Sequence, residues 1–218
     1  MITLDVEQGS EAWLMARLGL PTASQFHRVL TPKTGKLSAQ ATGYRNLLLA
    51  EHVLGYPLDN AGSAFMERGT DLEAEAKSFY ELQRDTDIQR VGFCLTDDRR
   101  TGCSPDGFVG ADGLVEIKCP SIQVHIGHLL DGAAEDDHRC QAQGQLWVTG
   151  RAWLDLVVYS PVLPSLIVRV ERDEEFIAKL AQAVGQFCDW LEHGRRELAR
   201  RGVVGKVEAP PERVLKLA

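Results

Sequence analysis

The chain has 218 residues, of which 44% are hydrophobic and 25% charged, and its formal net charge is −7. This is the composition of an ordinary globular protein, and the length suits one large domain that can bury its core without disulfides. No stretch approaches the roughly 20 apolar residues of a membrane span, and the N-terminus lacks the basic start and apolar core of a signal peptide, so we expect neither.

Five cysteines occur at wide spacings, and none of them belongs to a CxxC pair. The odd number and the spacing argue against the disulfide framework of a secreted protein. They also argue against an iron–sulfur cluster, whose cysteine ligands follow close and regular spacings. We therefore expect the protein in the reducing cytoplasm.

The first part of the chain is predicted to be helical. Thr22 and the residues after it form a cap followed by a short helix at 22–26. Apolar residues then recur at helical spacing over 44–54 and over 65–83. Loops are expected at 31–38 and 56–63.

From residue 89 onwards the pattern changes to that of strands. Strands are predicted at 89–95, 106–109 and 114–119, and the turn sequence Gly110-Ala111-Asp112-Gly113 predicts a hairpin between the last two. One helix, two strands and a long amphipathic helix complete the chain, at 138–148, 153–159, 166–170 and 173–200.

This order of elements predicts an α/β architecture with a central mixed β-sheet flanked by helices. We assign residues 1–202 to a single domain. The tail at 203–218 contains Ala209-Pro210-Pro211, which favours a short extended arm over a second domain.

The pattern that carries chemistry is Asp106, nine further residues, and then Glu116-Ile117-Lys118. Side chains at i and i+2 of a strand point to the same face, so Glu116 and Lys118 project together, and the hairpin brings Asp106 beside them. Two carboxylates are hard oxygen ligands suited to Mg²⁺, which Mn²⁺ can replace, and the Ile117 carbonyl could add a third ligand. A metal and a lysine in one pocket favour phosphodiester hydrolysis.

Such a pattern also occurs by chance, because Glu and Lys on a strand usually form a solvated face. Here the two charges lie within the apolar run Leu114-Val115-Ile117-Cys119, which predicts a buried strand. Charges on a buried strand are costly unless they are paired or bind a metal. The surroundings therefore favour a functional site.

The strings CSPDG and LVEIKCP, with their spacing, resemble the phage lambda exonuclease family, also called the YqaJ-type viral recombinase nucleases. Further blocks resemble that family in the same order, over roughly residues 5–195: Gln8-Gly-Ser-Glu-Ala-Trp13, Arg17-Leu-Gly, Thr22-Ala-Ser24, Gly69-Thr-Asp-Leu-Glu73, Gln141-Ala-Gln143, Trp147-Val-Thr and Val170-Glu-Arg-Asp-Glu174. The resemblance implies the restriction-endonuclease-like core of the PD-(D/E)xK superfamily.

The resemblance also implies roles for single residues. Asp106 and Glu116 become metal ligands and Lys118 the catalytic lysine, with Glu73 supporting the metal site and Gln141 or Gln143 completing its wall. The implied 5′-phosphate pocket consists of Arg17, Ser24 and Ser104, a set suited to a phosphate dianion. The implied DNA contacts are Lys33, Lys36 and, as an apolar wedge, Met66.

Several of these assignments keep a simpler alternative. Arg17, Glu73 and the two glutamines could be ordinary surface residues, and Met66 could belong to the core. Arg68 stands where the family usually has an aromatic residue, which puts the wedge in doubt. A zinc site built from His125, His128 and His138 is disfavoured by their irregular spacing.

By the same resemblance, the expected reaction is removal of 5′-mononucleotides from one strand of linear double-stranded DNA. A 3′ overhang remains for recombination with a single-strand annealing protein. The implied homotrimeric ring would enclose DNA, which answers the difficulty that an acidic chain poses for a nucleic-acid binder. Two alternatives remain open: an endonuclease of the same superfamily, and a catalytically silent protein that binds DNA ends.

Overall fold

The computed structural model describes residues 1–32, 35–58, 63–132 and 134–207, and over residues 63–71 it describes the backbone alone. Within these residues no helix is both long enough and apolar enough to cross a membrane. In chain order the elements are β1 (Ile2–Leu4), α1 (Glu11–Arg17), a 3-10 helix (Ala23–Arg28), α2 (Ala41–Leu54), α3 (Ser63–Arg84), β2 (Ile88–Gln89), β3 (Phe93–Leu95), β4 (Gly102–Cys103), β5 (Gly107–Val109), β6 (Gly113–Lys118), α4 (Ile122–Asp131), α5 (Ala134–Thr149), β7 (Trp153–Val158), β8 (Leu166–Glu171) and α6 (Glu174–Arg200).

The central sheet has five strands in the order β2-β5-β6-β7-β8. Only the β6–β7 pair is parallel, with Glu116 opposite Leu156, while β2–β5, β5–β6 and β7–β8 are antiparallel. The sheet is therefore mixed and helices flank it, as predicted. A second, three-stranded sheet is formed by β1, β3 and β4.

The prediction of one continuous strand at 89–95 is wrong. The structure divides it between the two sheets, with β2 ending at Gln89 and β3 beginning at Phe93. Between them, Gly92 lies so close to β1 that a Cβ atom there would be 2.3 Å from the Leu4 carbonyl oxygen. The chain can pass from one sheet to the other here because only glycine fits so close to the backbone of β1. This is a tertiary contact, so the local sequence pattern does not indicate it.

The two faces of β6 are buried under different helices. Val115 and Ile117 pack beneath α3, in a cluster with Tyr80. Leu114 lies on the opposite face, in a cluster with Leu146 of α5. Because side chains alternate along a strand, Glu116 shares the face of Leu114 and points toward α5.

Helix α4, which the sequence pattern did not predict, directly follows β6. It begins after Pro120 and Ser121, and it ends at Gly132, whose φ of +64° suits a glycine at a helix C-terminus. His125 is fully buried on this helix, and its Nε2 lies 2.9 Å from the carbonyl oxygen of Pro164. Histidines on the inner face, instead of aliphatic residues, concealed the helical period.

The chain after α6 turns back onto α2. The backbone N–H of Lys206 donates to the carbonyl oxygen of His52 at 2.9 Å, and Val207 is buried. At Gly205 a Cβ atom would lie 2.0 Å from His52 Nε2. The first residues of the predicted arm therefore pack on the domain. Residues 208–218, with Pro210 and Pro211, lie outside the described residues.

Candidate active site

Asp106 is the residue before β5, and its side chain is hydrogen-bonded to the backbone of β6. Its Oδ2 accepts the backbone N–H of Ile117 at 2.6 Å. The other oxygen, Oδ1, accepts no hydrogen bond from the described residues. Gln8 restrains the backbone just before Asp106, because its Nε2 donates to the Pro105 carbonyl oxygen at 2.8 Å.

Glu116 is 4% exposed, and three side chains donate hydrogen bonds to it. Its Oε1 accepts from Lys118 Nζ at 2.7 Å and from Gln141 Nε2 at 2.5 Å. Its Oε2 accepts from Gln145 Nε2 at 2.7 Å. The sequence analysis named Gln141 but missed Gln145.

Helix geometry explains why Gln145 contacts Glu116 and Gln143 does not. Residues four apart share one face of a helix, so Gln141 and Gln145 both reach Glu116. Gln143 points elsewhere: its Nε2 donates to the Glu171 carbonyl oxygen at 2.8 Å, and its Oε1 accepts the N–H of Asp173 at 3.0 Å. Of the two glutamines named from the sequence, Gln141 contacts Glu116 and Gln143 does not. The spacing of four residues from Gln141 could have identified Gln145.

Negative charge is concentrated at this site. Burial, together with the Glu116 carboxylate and more weakly Glu73, raises the pKa of Asp106 well above its usual value, although the Ile117 N–H opposes the rise. Burial would lower the pKa of Lys118, but Glu116, Asp106 and Glu73 outweigh it and raise that pKa. Lys118 is therefore a cation here. A single ammonium faces several carboxylates, an imbalance that a divalent cation would relieve.

The ligands available to such a cation are two carboxylates and one carbonyl. The backbone N–H of Tyr159 donates to the Lys118 carbonyl oxygen at 2.8 Å, so the backbone carbonyl of Lys118 points toward β7. Along a strand, the backbone groups of successive residues point to opposite edges. The N–H and C=O of Ile117 therefore both point toward Asp106. The described residues contain no cluster of three metal-binding His, Cys, Asp or Glu side chains. One or two carboxylates with additional oxygens suit Mg²⁺, which retains several waters.

A cavity of about 200 Å³ adjoins these groups. It is lined by residues from both sequence-predicted sets, the metal-site set and the phosphate set, together with others: Gln8, Trp13, Arg17, Thr22, Ala23, Ser24, Cys103, Ser104, Glu116, Lys118, Gln141 and Gln145. The fold therefore brings Arg17, Ser24 and Ser104 to one space that also contains Glu116 and Lys118.

Trp13 connects two of the predicted phosphate ligands. The Arg17 guanidinium lies 3.9 Å from the centroid of the Trp13 ring, and the indole Nε1–H donates to Ser104 Oγ at 2.8 Å. Because Ser104 accepts this bond, its own hydroxyl proton is available for another acceptor. Burial lowers the pKa of Arg17, and the charges of Tyr44 and Glu51 only partly oppose this. A partly buried cation beside hydroxyl donors suits a phosphate.

The other predicted residues lie outside this cluster or outside the described side chains. Glu73 pairs with Lys77 at 2.8 Å and acts on Asp106 and Lys118 through its charge, without a hydrogen bond to them. Lys36 is exposed on its loop. Lys33 and the side chain of Met66 lie outside the described residues.

Among the described residues, the histidines near the site do not form a group of three metal-binding side chains. The rings of His128 and His138 meet edge to face with centroids 6.2 Å apart. Burial, reinforced by the charge of Lys118, lowers the pKa of His138 to about 4, so its imidazole is neutral near pH 7.

The chain is similar to one protein family and to several solved structures. The model of the YqaJ-like viral recombinase domain matches residues 12–152. Two solved structures, an alkaline exonuclease (LHK-Exo) from Laribacter hongkongensis and LHK-Exo in complex with dAMP, each share 34% identity with this chain, cover 88% of it and 98% of their own chain, and have a TM-score of 0.80. A phage-related exonuclease from Haemophilus somnus 129PT, at 17% identity with 82% and 96% covered and a TM-score of 0.66, shares the fold. No curated protein matches significantly.

Proposed function

Because the chain belongs to the YqaJ-like viral recombinase family, we propose that it is a metal-dependent 5′-to-3′ exonuclease acting on linear double-stranded DNA. It would release 5′-mononucleotides from one strand and leave a 3′ single-stranded overhang for recombination. The observation that carries this proposal is the single cavity that Arg17, Ser24 and Ser104 share with Glu116 and Lys118.

The shared cavity supports a preference for DNA ends. A 5′-terminal phosphate carries more negative charge than an internal phosphodiester, and an arginine with hydroxyl donors matches it. If the terminal phosphate is bound by Arg17, Ser24 and Ser104, the next scissile bond lies toward Glu116 and Lys118. Such an arrangement would favour cleavage close to a DNA end, which is the property that distinguishes an exonuclease from an endonuclease.

We propose Mg²⁺ as the cofactor, with Mn²⁺ as a substitute, held by Asp106, Glu116 and the Ile117 carbonyl. The bound ion would lower the pKa of a water and offset charge that develops on the phosphate. Glu116 keeps Lys118 protonated in the metal-free state. When Glu116 binds the cation instead, Lys118 would orient the water or stabilise the negative phosphate oxygens. Gln141 restrains Glu116 from α5.

We further propose a homotrimeric ring in the cytoplasm, with DNA ends as substrate and a single-strand annealing protein as partner. The ring would provide the enclosure that an acidic chain needs to retain DNA. The reducing compartment agrees with five free cysteines, which lie in the described part of the chain.

The test uses purified protein with Mg²⁺ and three DNA substrates: a linear duplex with 5′-phosphate ends, the same duplex with 5′-hydroxyl ends, and a closed circle. We expect mononucleotides from the first, slower release from the second and none from the third. Cleavage of the circle would indicate an endonuclease. Binding of ends without hydrolysis would indicate the catalytically silent alternative.

Substitutions at the site provide the second part of the test. Asp106→Ala and Lys118→Ala should abolish hydrolysis and leave DNA binding and the circular dichroism spectrum largely intact. Arg17→Ala should mainly remove the preference for phosphorylated ends. Near-wild-type activity in either of the first two variants would refute the assignment, and equal losses on both kinds of end would remove Arg17 from the phosphate pocket.

A further inference from the structure

Gln145 carries an unused acceptor deep inside the site. The side chain is 1% exposed, and its Nε2 donates to Glu116 Oε2 at 2.7 Å. Its Oε1 is buried without a hydrogen-bond partner among the described residues. The assignment of the two amide atoms is dictated by chemistry, since the reverse orientation would place two oxygens with lone pairs against each other. The atom without a partner is therefore the carbonyl oxygen.

A buried carbonyl oxygen without a partner is costly, and a donor in the adjoining cavity would remove that cost. Gln145 lines the same cavity as Glu116 and Lys118, and the volume of about 200 Å³ far exceeds the roughly 10–15 Å³ that one water requires. A phosphate dianion offers only acceptors and cannot be the partner. A water can be, and Mg²⁺ retains several of its waters, each of which is a strong donor.

Gln145 also differs from the other groups that hold Glu116. Lys118 and Gln141 both donate to Oε1, whereas Gln145 is the only described side chain that donates to Oε2. Without Gln145 the carboxylate could rotate toward Lys118 and Gln141. A neutral donor at Oε2 fixes the plane of the carboxylate without neutralising the charge that attracts a cation.

We infer that Gln145 is a positioning residue for the metal site, whose nitrogen orients the Glu116 carboxylate and whose oxygen accepts a hydrogen bond from a water in the cavity. This inference rests on the proposed metal-dependent function. Gln145 would act through Glu116 and through this water, without contact to the DNA. Groups that orient a metal ligand typically contribute 10- to 100-fold in metal affinity or activity.

The test measures Mn²⁺ binding by titration calorimetry on the DNA-free protein, so that the readout does not depend on hydrolysis. Gln145→Met keeps a side chain of similar length and removes both hydrogen bonds. The matched control is Gln143→Met, because Gln143 is 2% exposed on the same helix and bonds only to the backbone of Glu171 and Asp173. We expect about 10- to 100-fold weaker Mn²⁺ binding in Gln145→Met and unchanged binding in the control.

The hydrolysis assay supplies a second readout. In Gln145→Met the Mn²⁺ concentration that gives half-maximal rate should rise in parallel with the dissociation constant, while KM for DNA stays constant. If the circular dichroism spectrum indicates that Gln145→Met does not fold, Gln145→Asn replaces it. Its amide remains polar but is one methylene too short to reach Glu116, and the same loss of affinity is expected.

Three outcomes would contradict a proposal, and they are distinguishable. Unchanged Mn²⁺ affinity in the folded Gln145 variant overturns the inference. An equal loss in Gln143→Met also overturns it, because the effect would then reflect general packing of α5. Failure of the wild-type protein to bind Mn²⁺ and to hydrolyse DNA would instead refute the proposed function.

Discussion

At the scale of single residues, the charge of Asp106 links the site to the stability of the fold. Burial and the nearby Glu116 raise the pKa of Asp106 in the folded protein well above the roughly 3.9 of an unfolded chain. A carboxyl with a raised pKa contributes most to stability while it is protonated. That contribution is therefore present at low pH and is lost as the pH rises through the raised pKa.

The first prediction follows from that sign. In EDTA, the stability of the wild-type protein relative to Asp106→Asn should fall as the pH rises from about 4 through the raised pKa of Asp106. Divalent cation should restore part of it, since it binds the ionised form. Thermal unfolding of both proteins across the pH range, with and without Mn²⁺, measures this difference. A difference in Tm that is independent of pH would show that Asp106 is not strained by its neighbours.

The second prediction at this scale concerns Trp13. Trp13→Phe keeps a ring beneath Arg17 but loses the N–H that donates to Ser104. One hydrogen bond contributes about 0.5–1.5 kcal/mol, so the preference for 5′-phosphate over 5′-hydroxyl ends should fall roughly two- to tenfold.

The measurement is the ratio of initial rates on the two kinds of end. Trp190→Phe is the matched control, because Trp190 also stacks with an arginine, Arg45 at 4.0 Å, but does not line the cavity. It should leave the ratio unchanged. A Trp13→Phe variant that slows both substrates equally would show that Trp13 supports the fold and not the proposed phosphate pocket.

At the scale of elements, α5 determines where the two halves of the site meet. One face of α5 directs Gln141 and Gln145 at Glu116. Gly144, on the same helix, lies against the 3-10 helix that carries Ser24, and a Cβ atom there would be 2.6 Å from the Phe26 ring and 3.3 Å from the Ala23 Cβ. The absence of a side chain at Gly144 therefore sets the distance between Ser24 and Glu116.

The third prediction is that Gly144→Ala disturbs both stability and end recognition. Phe26 is fully buried, so the added methyl group should displace the 3-10 helix at a cost of about 1–3 kcal/mol. The preference for 5′-phosphate ends should fall as Ser24 moves. Urea denaturation and the rates on the two kinds of end measure these effects.

A glycine in α6 provides the control. Nothing lies within 4 Å of a Cβ atom at Gly185, so Gly185→Ala should stabilise the helix by up to about 1 kcal/mol and leave end preference unchanged. If Gly144→Ala behaved like Gly185→Ala, the close contact between α5 and the 3-10 helix would not control the site.

At the scale of the whole molecule, the distribution of charge decides how DNA can be held. The net charge is −7, and several arginines of the described surface are already paired within the chain, among them Arg100 with Asp189 and Arg200 with Glu197. General attraction to phosphate is therefore weak, and retention of DNA requires enclosure or a local basic surface.

The fourth prediction concerns the proposed ring. Sedimentation equilibrium should give a trimer, and added salt should slow the initiation of digestion far more than it shortens the stretch removed in one binding event. The reason is that salt weakens phosphate contacts but does not open a closed ring. Long DNA with excess competitor added after loading measures that stretch. A monomer whose processivity falls steeply with salt would contradict enclosure.

The sequence by itself predicted most of the elements and brought the two central carboxylates together. Alternating and helical periods predicted the mixed sheet and most helices, because an element that buries one face repeats its apolar residues at the period of that element. The spacing of Asp106, Glu116 and Lys118 placed them together through a hairpin and a two-residue strand repeat. The blocks with Trp13, Arg17 and Glu73 indicated the family before any fold was known.

Only the tertiary structure decided the remainder. Three features join residues far apart in the sequence: the bond from Gln145 to Glu116, the transfer of the chain between sheets at Gly92, and the bond from Trp13 to Ser104. Such contacts depend on how elements pack and not on the period within one of them. Helix α4 was missed because its inner face carries histidines, so its burial has no aliphatic pattern. The local pattern thus specified the groups, and packing specified their partners.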